Sequence, residues 1–540
     1  MLQIKNLTVV HKKDLRTIIE NFSFALNPGD KAVLIGEEGN GKSTLMKWIY
    51  DPKCIENYVE AEGERICNGE KLGYLPQELP AEDKLRTVYD FFCQEELFWE
   101  QEPKELAELA RNLHLPTDFF YSDQLMGTLS GGEKVKAQMA RLLMGKPTIL
   151  LLDEPSNDID IETLEWLEEM IQKANQPVLY ISHDETLIER TANVVIHLEQ
   201  IRRKTQSRYT VARVPYIRYI EERRANFKRQ ETLALNDRRE KKIRDEKLRK
   251  IEQSVASRLD NISKAERDGP GRLLKKKMKA VKSMEKRFER EDENMTQMPE
   301  EESAIFFKVG DKEAKIPSGK VVLDFALEKL VKPVSGESSM ESGEKVVGLG
   351  EELAENILTR NIKLFIKGSE KVCIVGRNGV GKTTLLRKLA EELLAREDIR
   401  AAYMPQNYEE LLDLNQTPVE YLCQVGDKEE VTRIRTWLGS LKYTADEMSH
   451  PIGELSGGQK AKVLLLKMSI SGANVLILDE PTRNFSPLSN PVIREVLRNY
   501  EGAILSVSHD RKYIREVCDR VYELTETGLR EIEIGIGEIV

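Results

Sequence analysis

A lysine and a hydroxyl on a glycine-rich loop, two acids closing an apolar run, and a histidine 29 residues after the second acid make a chemical set. Together they can hold a polyphosphate, place a divalent cation and manage the proton of an attacking water. The chain carries this set twice, in the same order. GEEGNGKST begins at Gly36 and GRNGVGKTT at Gly376; LSGGEK begins at Leu129 and LSGGQK at Leu455; ILLLDEP begins at Ile149 and VLILDEP at Val475; ISHD begins at Ile181 and VSHD at Val507. The spacings repeat as well: 23 residues separate Ser130 from Asp153 and Ser456 from Asp479, and 29 separate Glu154 from His183 and Glu480 from His509.

Each piece has a physical task. Gly36, Gly39 and Gly41, like Gly376, Gly379 and Gly381, let backbone N–H groups close around phosphate, with Asn40, Thr44, Asn378 and Thr384 completing the two loops. Lys42 and Lys382 are placed to reach the β- and γ-phosphates of ATP, and Ser43 and Thr383 to hold Mg²⁺. Asp153 and Asp479 suit a second Mg²⁺ contact, while Glu154 and Glu480 can orient or deprotonate water. The plain alternative is a solvated acid pair at a strand end, which leaves the upstream loop unexplained.

The segments LSGGE and LSGGQ resemble the signature of ATP-binding cassette (ABC) ATPases, and the resemblance covers both halves. It implies two cassettes facing head to tail, each ATP lying between one phosphate loop and the other cassette's signature. By that resemblance the first loop works with Ser456, Gly457 and Gly458, and the second with Ser130, Gly131 and Gly132. Gln77 in YLPQ and Gln406 in YMPQ look like the family's glutamine loop, adjoining nucleotide and metal; His183 and His509 look like its switch histidine, which contacts the γ-phosphate. Two departures stand out. The aromatic residue on which the family stacks adenine is missing: only His11 stands near its place in the first cassette, and no aromatic lies between Phe325 and Phe365 in the second. The loop after the glutamate ends in Asp160 in the first half but in Ser486 in the second, so the two sites are expected to be inequivalent.

These groups need strand–loop–helix units to position them. The apolar runs KAVLIG and KVCIVG precede the loops, and helical patterns, LMKWIY and LLRKLA, follow. The expected fold is α/β: two P-loop ABC ATPase domains in tandem, residues 1–212 and 303–540, joined by an α-helical hairpin linker at 213–302. From Lys42 to Ser130 is 88 residues, against 74 from Lys382 to Ser456; the excess is too small for a substantial helical arm in the first domain. A Gly-, Ser- and Glu-rich stretch at Lys332–Glu352 reads as a surface loop.

The linker is where charge gathers. Residues 213–292 hold 26 Lys or Arg against 15 Asp or Glu, net +11 in a chain of net −10, so the remainder carries −21. RLLKKKMKAVKSMEKR, Arg272–Arg287, has eight Lys or Arg and one acid, Glu285. Leu248, Ile251, Val255, Leu259 and Ile262 recur at helical spacing, as do Leu274, Met278, Val281, Met284 and Phe288, with the breaker DGPG at Asp268–Gly271 between. Two helices folded back on each other follow, with twenty residues of the second extending ~30 Å and the positive charge near the turn. A solvated spacer gains from mixed i,i+4 pairs but nothing from unpaired positives, which make sense opposite a phosphate backbone. Arg272, Lys275, Lys276, Lys277, Lys279 and Lys282 are therefore candidate RNA contacts; few aromatics accompany them, which favours structured RNA over stacked single strands.

Six scattered cysteines with no CxxC pair argue against a zinc or iron–sulfur site and fit a cytoplasmic setting. The N-terminal MLQIKNLTVVHKKD lacks a long apolar core, so no signal peptide is expected, and no apolar run approaches the ~18 residues of a membrane span. Two cassettes, no span and a basic helical hairpin resemble the ABC-F family, ATPases that act on the ribosome. The resemblance implies a monomer whose cassettes pair within the chain, cofactors ATP and Mg²⁺, and a linker reaching ribosomal RNA and tRNA between the tRNA exit site and the peptidyl-transfer centre, as a translation factor or an antibiotic ribosomal protection protein. The competing reading is a tandem ATPase subunit of an ABC transporter.

Overall fold

The computed structural model of the protein describes residues 1–201, 205–260, 270–293, 295–299, 315–331 and 357–533. They form two units: Met1–Tyr216 with Glu302–Val540, and Ile217–Glu301.

The first unit contains two six-stranded sheets of one topology. In the first half the strands run Leu72–Leu75, Ile149–Asp153, Val178–Ile181, Lys31–Ile35, Val194–Ile201 and Gln206–Ala212 across the sheet. In the second half they run Ala401–Met404, Val475–Asp479, Ala503–Val507, Lys371–Val375, Arg520–Thr525 and Gly528–Ile532. The first five strands of each are parallel and the last is antiparallel. KAVLI, ILLLD, KVCIV and VLILD are buried at every residue, as strands covered on both faces must be. Leu34, Leu45, Ile49, Leu151 and Ile181 share one core; Ile374, Leu385, Leu389, Ile477 and Leu505 share its counterpart.

Order reverses around the strands Lys31–Ile35 and Lys371–Val375, and a ligand crevice forms outside the strand ends at such a switch point. Both phosphate loops leave there, and the acids at 153 and 479 end the neighbouring strands but one. Helices Lys42–Tyr50 and Lys382–Leu394 start directly from the loops. Their N-caps, Gly41 and Gly381, are left-handed at φ 83° and 101°; a Cβ on Gly41 would also lie 2.3 Å from Ile18 Cγ2, so only glycine fits. Between Lys42 and Ser130 no helix exceeds the ten residues of Pro103–Asn112, so the extra length there is taken up in short helices and turns.

The second unit contains helices Tyr216–Asp260 and Pro270–Glu293. They run antiparallel: Lys241 Nζ lies 2.8 Å from Asp292 Oδ2, the Arg244 guanidinium covers the Phe288 ring at 4.4 Å, and Asp237 Oδ2 accepts from Thr296 N at 2.9 Å. Among the described residues of the seam Val281 is buried, as is Ala234 on the facing helix, while Ile251 and Met284 are 47% and 48% exposed. Asp268 and Gly269 of the expected turn, and the stretch 332–352, lie outside the described residues. Among the described residues no helix is long and apolar enough to cross a membrane.

Candidate active sites

Two crevices lie between the halves. At the second phosphate loop a cavity of about 710 Å³ is lined by Gly379, Lys382 and Thr383, by Asp479, Glu480 and His509, and, from the first half, by Ser130 and Gly131. The head-to-tail pairing expected from sequence is thus present at this site: loop from one half, signature from the other. Asn378 Nδ2 donates to the Asp158 carbonyl across the boundary at 2.6 Å, and Arg377 pairs with Glu162 at 3.0 Å. At the other crevice, Gly458 N donates to Glu38 Oε2 at 2.5 Å, bringing the second signature against the first loop.

Capping explains how each signature is presented. Ser130 and Ser456 are N-caps of helices Gly131–Met144 and Gly457–Ile470, with reciprocal capping boxes to Glu133 and Gln459. The helix starts aim backbone N–H groups into the crevices, where anions are stabilised. Lys42 Nζ donates to the carbonyls of Gly36 and Glu37 at 2.9 and 3.1 Å, and Lys382 Nζ to those of Gly376 and Arg377 at 2.7 and 2.9 Å. Each lysine is held arched across its own loop.

The acids differ between the sites. Both Glu154 and Glu480 sit at φ 51°, a left-handed strain at a non-glycine residue, fixed by backbone bonds from their N–H groups to Ile181 O and Val507 O. Glu154 accepts from Gln77 Nε2 at 2.8 Å and Asn157 Nδ2 at 2.5 Å, and its Oε1 lies 3.3 Å from His183 Nε2. Burial opposes its ionisation, but His183, Lys42 and Asn157 outweigh that and hold its pKa down at about 2. Glu480 has weaker company: His509 N at 3.3 Å, Ser508 Oγ at 3.4 Å and His509 Nε2 at 3.7 Å. Burial, then the Asp479 charge, push it up to about 8. Burial and Lys382 drive His509 down to about 3.

Ser43 Oγ donates to Asp153 Oδ1 at 3.0 Å and Tyr74 OH to its Oδ2 at 3.1 Å. Asp479 has Thr383 beside it, yet neither oxygen of its buried carboxyl receives a hydrogen bond. Burial raises both aspartates to about 6. Among the described residues no group of three His, Cys, Asp or Glu could hold an ion by itself. One carboxylate and one hydroxyl fit Mg²⁺, which takes its remaining ligands from phosphate and water; the orphaned oxygens of Asp479 suit that cation.

Several of the expected residues are engaged by protein partners, and Gln406 lines the second cavity with Thr383 and Asp479. Gln77 reaches Glu154, and Gln406 Nε2 reaches across to Asp158 Oδ1 at 3.3 Å; neither is bonded to the Ser43–Asp153 or Thr383–Asp479 pair. His11 is engaged with Asp14 at 2.9 Å, and the side chain against the first loop is the aliphatic Ile18. In the second cavity Leu358 stands in the wall. His183 Nδ1 donates to the Phe485 carbonyl of the opposite half at 2.7 Å. Glu37 and Glu38 were missed. Ser486 Oγ and Ser489 Oγ both donate to Glu37 Oε1, at 2.6 and 2.5 Å; burial would raise its pKa, but Lys462, the two hydroxyls and Lys42 hold it below the usual range. Reading GEEGNGKST against GRNGVGKTT position by position, with Ser486 against Asp160, contains the signal: the carboxylate has changed sides of the interface. Of the RNA candidates, Lys276, Lys277, Lys279 and Lys282 are exposed on their helix; the side chains of Arg272 and Lys275 lie outside the described set.

Two doubly wound sheets, each with a phosphate loop, a signature helix, an Asp–Glu strand end and a histidine, have the fold and motifs of tandem ATP-binding cassettes. The ABC transporter family model matches residues 19–157 and 359–483. Proteins named as ABC transporter F family members are among the relatives of this chain. It is 26% identical to ribosome protection protein VmlR of Bacillus subtilis, over 98% of this chain and 88% of that one. It is equally identical to putative ATP-binding protein YdiF of the same organism, over 98% and 81%. Against ABC transporter F family member 5 of Arabidopsis thaliana it is 26% identical over 76% of this chain and 53% of that one, so it spans about half the length of that relative. Among solved structures, the archaeal ribosome recycling factor aABCE1, in complex with the stalk protein aP1, has the same fold: TM-score 0.57, 18% identity, 98% of this chain and 91% of that one.

Proposed function

We propose that this chain is a cytoplasmic ATPase of the ribosome. ATP closes the two cassettes, residues 1–212 and 303–540, and the basic linker, residues 213–302, meets ribosomal RNA and tRNA between the exit site and the peptidyl-transfer centre. The observation that carries this reading is the separate helical unit Ile217–Glu301, with Lys276, Lys277, Lys279 and Lys282 exposed. VmlR, a protein named for ribosome protection, aligns across 98% of the chain and supports it. The chain then works as an antibiotic ribosomal protection protein or as a translation factor; drug susceptibility of a strain expressing it separates the two.

In this reading Lys42 and Lys382 bind the β- and γ-phosphates within their loops. Ser43 with Asp153, and Thr383 with Asp479, hold Mg²⁺, which when bound neutralises phosphate charge. Glu154, ionised, orients the attacking water and receives its proton; Glu480 orients water at its own site and receives a proton only in its ionised form, and His183 and His509 hold the γ-phosphate side of each site. The N–H groups of Gly131, Gly132, Gly457 and Gly458, with the hydroxyls of Ser130 and Ser456, complete each site from the opposite cassette. Loss of both general bases, Glu154→Gln with Glu480→Gln, should lower turnover by ~10²–10⁴-fold.

The deciding experiment is co-sedimentation with ribosomes in that double-Gln background, with and without Lys275→Gln, Lys276→Gln, Lys277→Gln and Lys279→Gln. Gln keeps helix propensity close to that of Lys, so charge alone is removed. Ribosome binding should weaken, and its log–log salt slope should fall by roughly 0.7–0.9 per lost contact. Unchanged affinity and slope would reduce the lysines to a solvated spacer. Recovery with membranes instead of ribosomes would favour the transporter subunit.

A further inference from the structure

The face between the cassettes buries ions in an arrangement that the ATPase chemistry does not need. Arg494 makes a two-pronged contact with Glu185 across the boundary, Nη1 to Oε1 at 2.6 Å and Nη2 to Oε2 at 3.3 Å. Arg511 pairs with Glu168 across the same boundary and lies 3.6 Å from Asp184. All four partners, Glu168, Glu185, Arg494 and Arg511, are more than nine-tenths buried. Within each cassette a third charge backs the pair: Arg190 Nη1 lies 2.8 Å from Glu168 Oε2, and Arg494 Nε 2.8 Å from Glu516 Oε2.

The numbering exposes the design. The signature serines, the Asp–Glu pairs and the histidines of the two cassettes are each 326 residues apart. So are Glu168 and Arg494, Glu185 and Arg511, and Arg190 and Glu516. At all three equivalent positions the charge is inverted. The first cassette reads acid, acid, base; the second reads base, base, acid. Lys512, which pairs with Glu185 at 3.1 Å and with Glu189, adds a further base on the second cassette.

We infer that this triad is a pairing code: the face accepts the opposite cassette of this chain and rejects a second copy of the same cassette. Two first cassettes related by the same head-to-tail symmetry would set Glu185 against Glu168, buried, twice over. Two second cassettes would set Arg511 against Arg494. A buried ion pair is a poor source of stability compared with packed apolar groups, whereas an uncompensated buried charge is strongly destabilising, so the device acts by penalising the wrong partner. The tandem duplication makes such a device useful, because two related faces otherwise retain affinity for their own kind.

Full-length chains test this. Glu168→Arg with Glu185→Arg and Arg190→Glu gives the first cassette the second's charges; Arg494→Glu with Arg511→Glu and Glu516→Arg does the converse. Each triple variant builds, in one chain, the like-charged face that two identical cassettes would present. The six-site variant, made in a Lys512→Thr and Asp184→Asn background that removes the two neighbours of unchanged sign, restores complementarity with its polarity reversed. We expect each triple to lose at least tenfold in ATPase and to unfold at lower urea, and the six-site variant to recover to within about threefold of wild-type turnover and most of the lost urea midpoint. The ATPase arm rests on the reading that turnover needs apposed cassettes; the unfolding arm does not, so a silent ATPase with a restored midpoint indicts that reading and upholds the code. Triples that keep wild-type midpoints, or a six-site variant no more stable than the triples, would overturn the pairing code.

Discussion

The Glu38 carboxylate of the first phosphate loop accepts a hydrogen bond from the Gly458 N–H of the second signature, 2.5 Å away and 420 residues along the chain. A carboxylate thus meets a helix start whose N–H groups suit an anion, while at the equivalent place in the second loop stands Asn378, a neutral side chain bonded to the Asp158 carbonyl. Nucleotide in the first site must compete with Glu38 and bear its charge. Replacing Glu38 by Asn should raise ATP affinity there by about 1–2 kcal/mol, a five- to thirtyfold gain. Titration with a fluorescent ATP analogue in a Lys382→Ala background isolates that site; unchanged affinity would show that Glu38 yields without cost.

The two glutamates should respond differently to the same substitution. Glu154 is ionised and receives amide hydrogens from Gln77 and Asn157, which the NH₂ of a glutamine would oppose. Glu480, held up at about 8, is already close to a neutral carboxyl at pH 7. Without nucleotide, Glu154→Gln should cost about 1.5–3 kcal/mol of stability, and Glu480→Gln under about 0.5 kcal/mol. Urea unfolding measures both, and equal losses would mean that the two pockets are electrostatically alike.

Base selectivity should be loose. Ile18 against the first loop and Leu358 in the wall of the second cavity offer aliphatic surface where an aromatic platform would stack purine. Forgoing one stacking contact is worth ~1–3 kcal/mol, and an aliphatic wall distinguishes adenine from guanine poorly. GTP should therefore be hydrolysed within about tenfold of ATP, and Leu358→Tyr should tighten both. Strict ATP selectivity in kcat/KM would refute this.

The signature serines have a structural duty beside any nucleotide contact. Each caps its helix and closes a box with the residue three positions on. Ser130→Ala and Ser456→Ala should each lower stability by about 0.5–2 kcal/mol in the absence of nucleotide. A variant with lost turnover but wild-type unfolding would assign its serine to the nucleotide alone.

Much of this architecture is legible in the sequence because its signals are local or repeated. Five-residue buried runs such as ILLLD and VLILD can only be covered strands, and the glycines of the loops answer to backbone geometry. The linker helices also follow from periodicity, although Ile251 and Met284, two of the expected apolar positions, are half-exposed. What escapes is contact between residues hundreds of positions apart. Glu37 looks like an ordinary surface acid until Ser486 and Ser489 are found on it. Gln77 matches a motif, but only the fold reveals that its amide turns to Glu154. No local pattern distinguishes Glu168 from the other acids of its helix; its buried position against Arg511 does.

The inverted triad also has a consequence for inheritance. A duplicated chain invites recombination between its halves, and exchange of the segment around 168–190 for its counterpart around 494–516 would leave the sheets and catalytic motifs whole. It would nevertheless join like charges at the buried face. The two halves are therefore no longer interchangeable, although their sheets share one topology and their motifs one spacing. Sequence drift between them can continue, but an exchange across this face would carry the cost of those buried like charges.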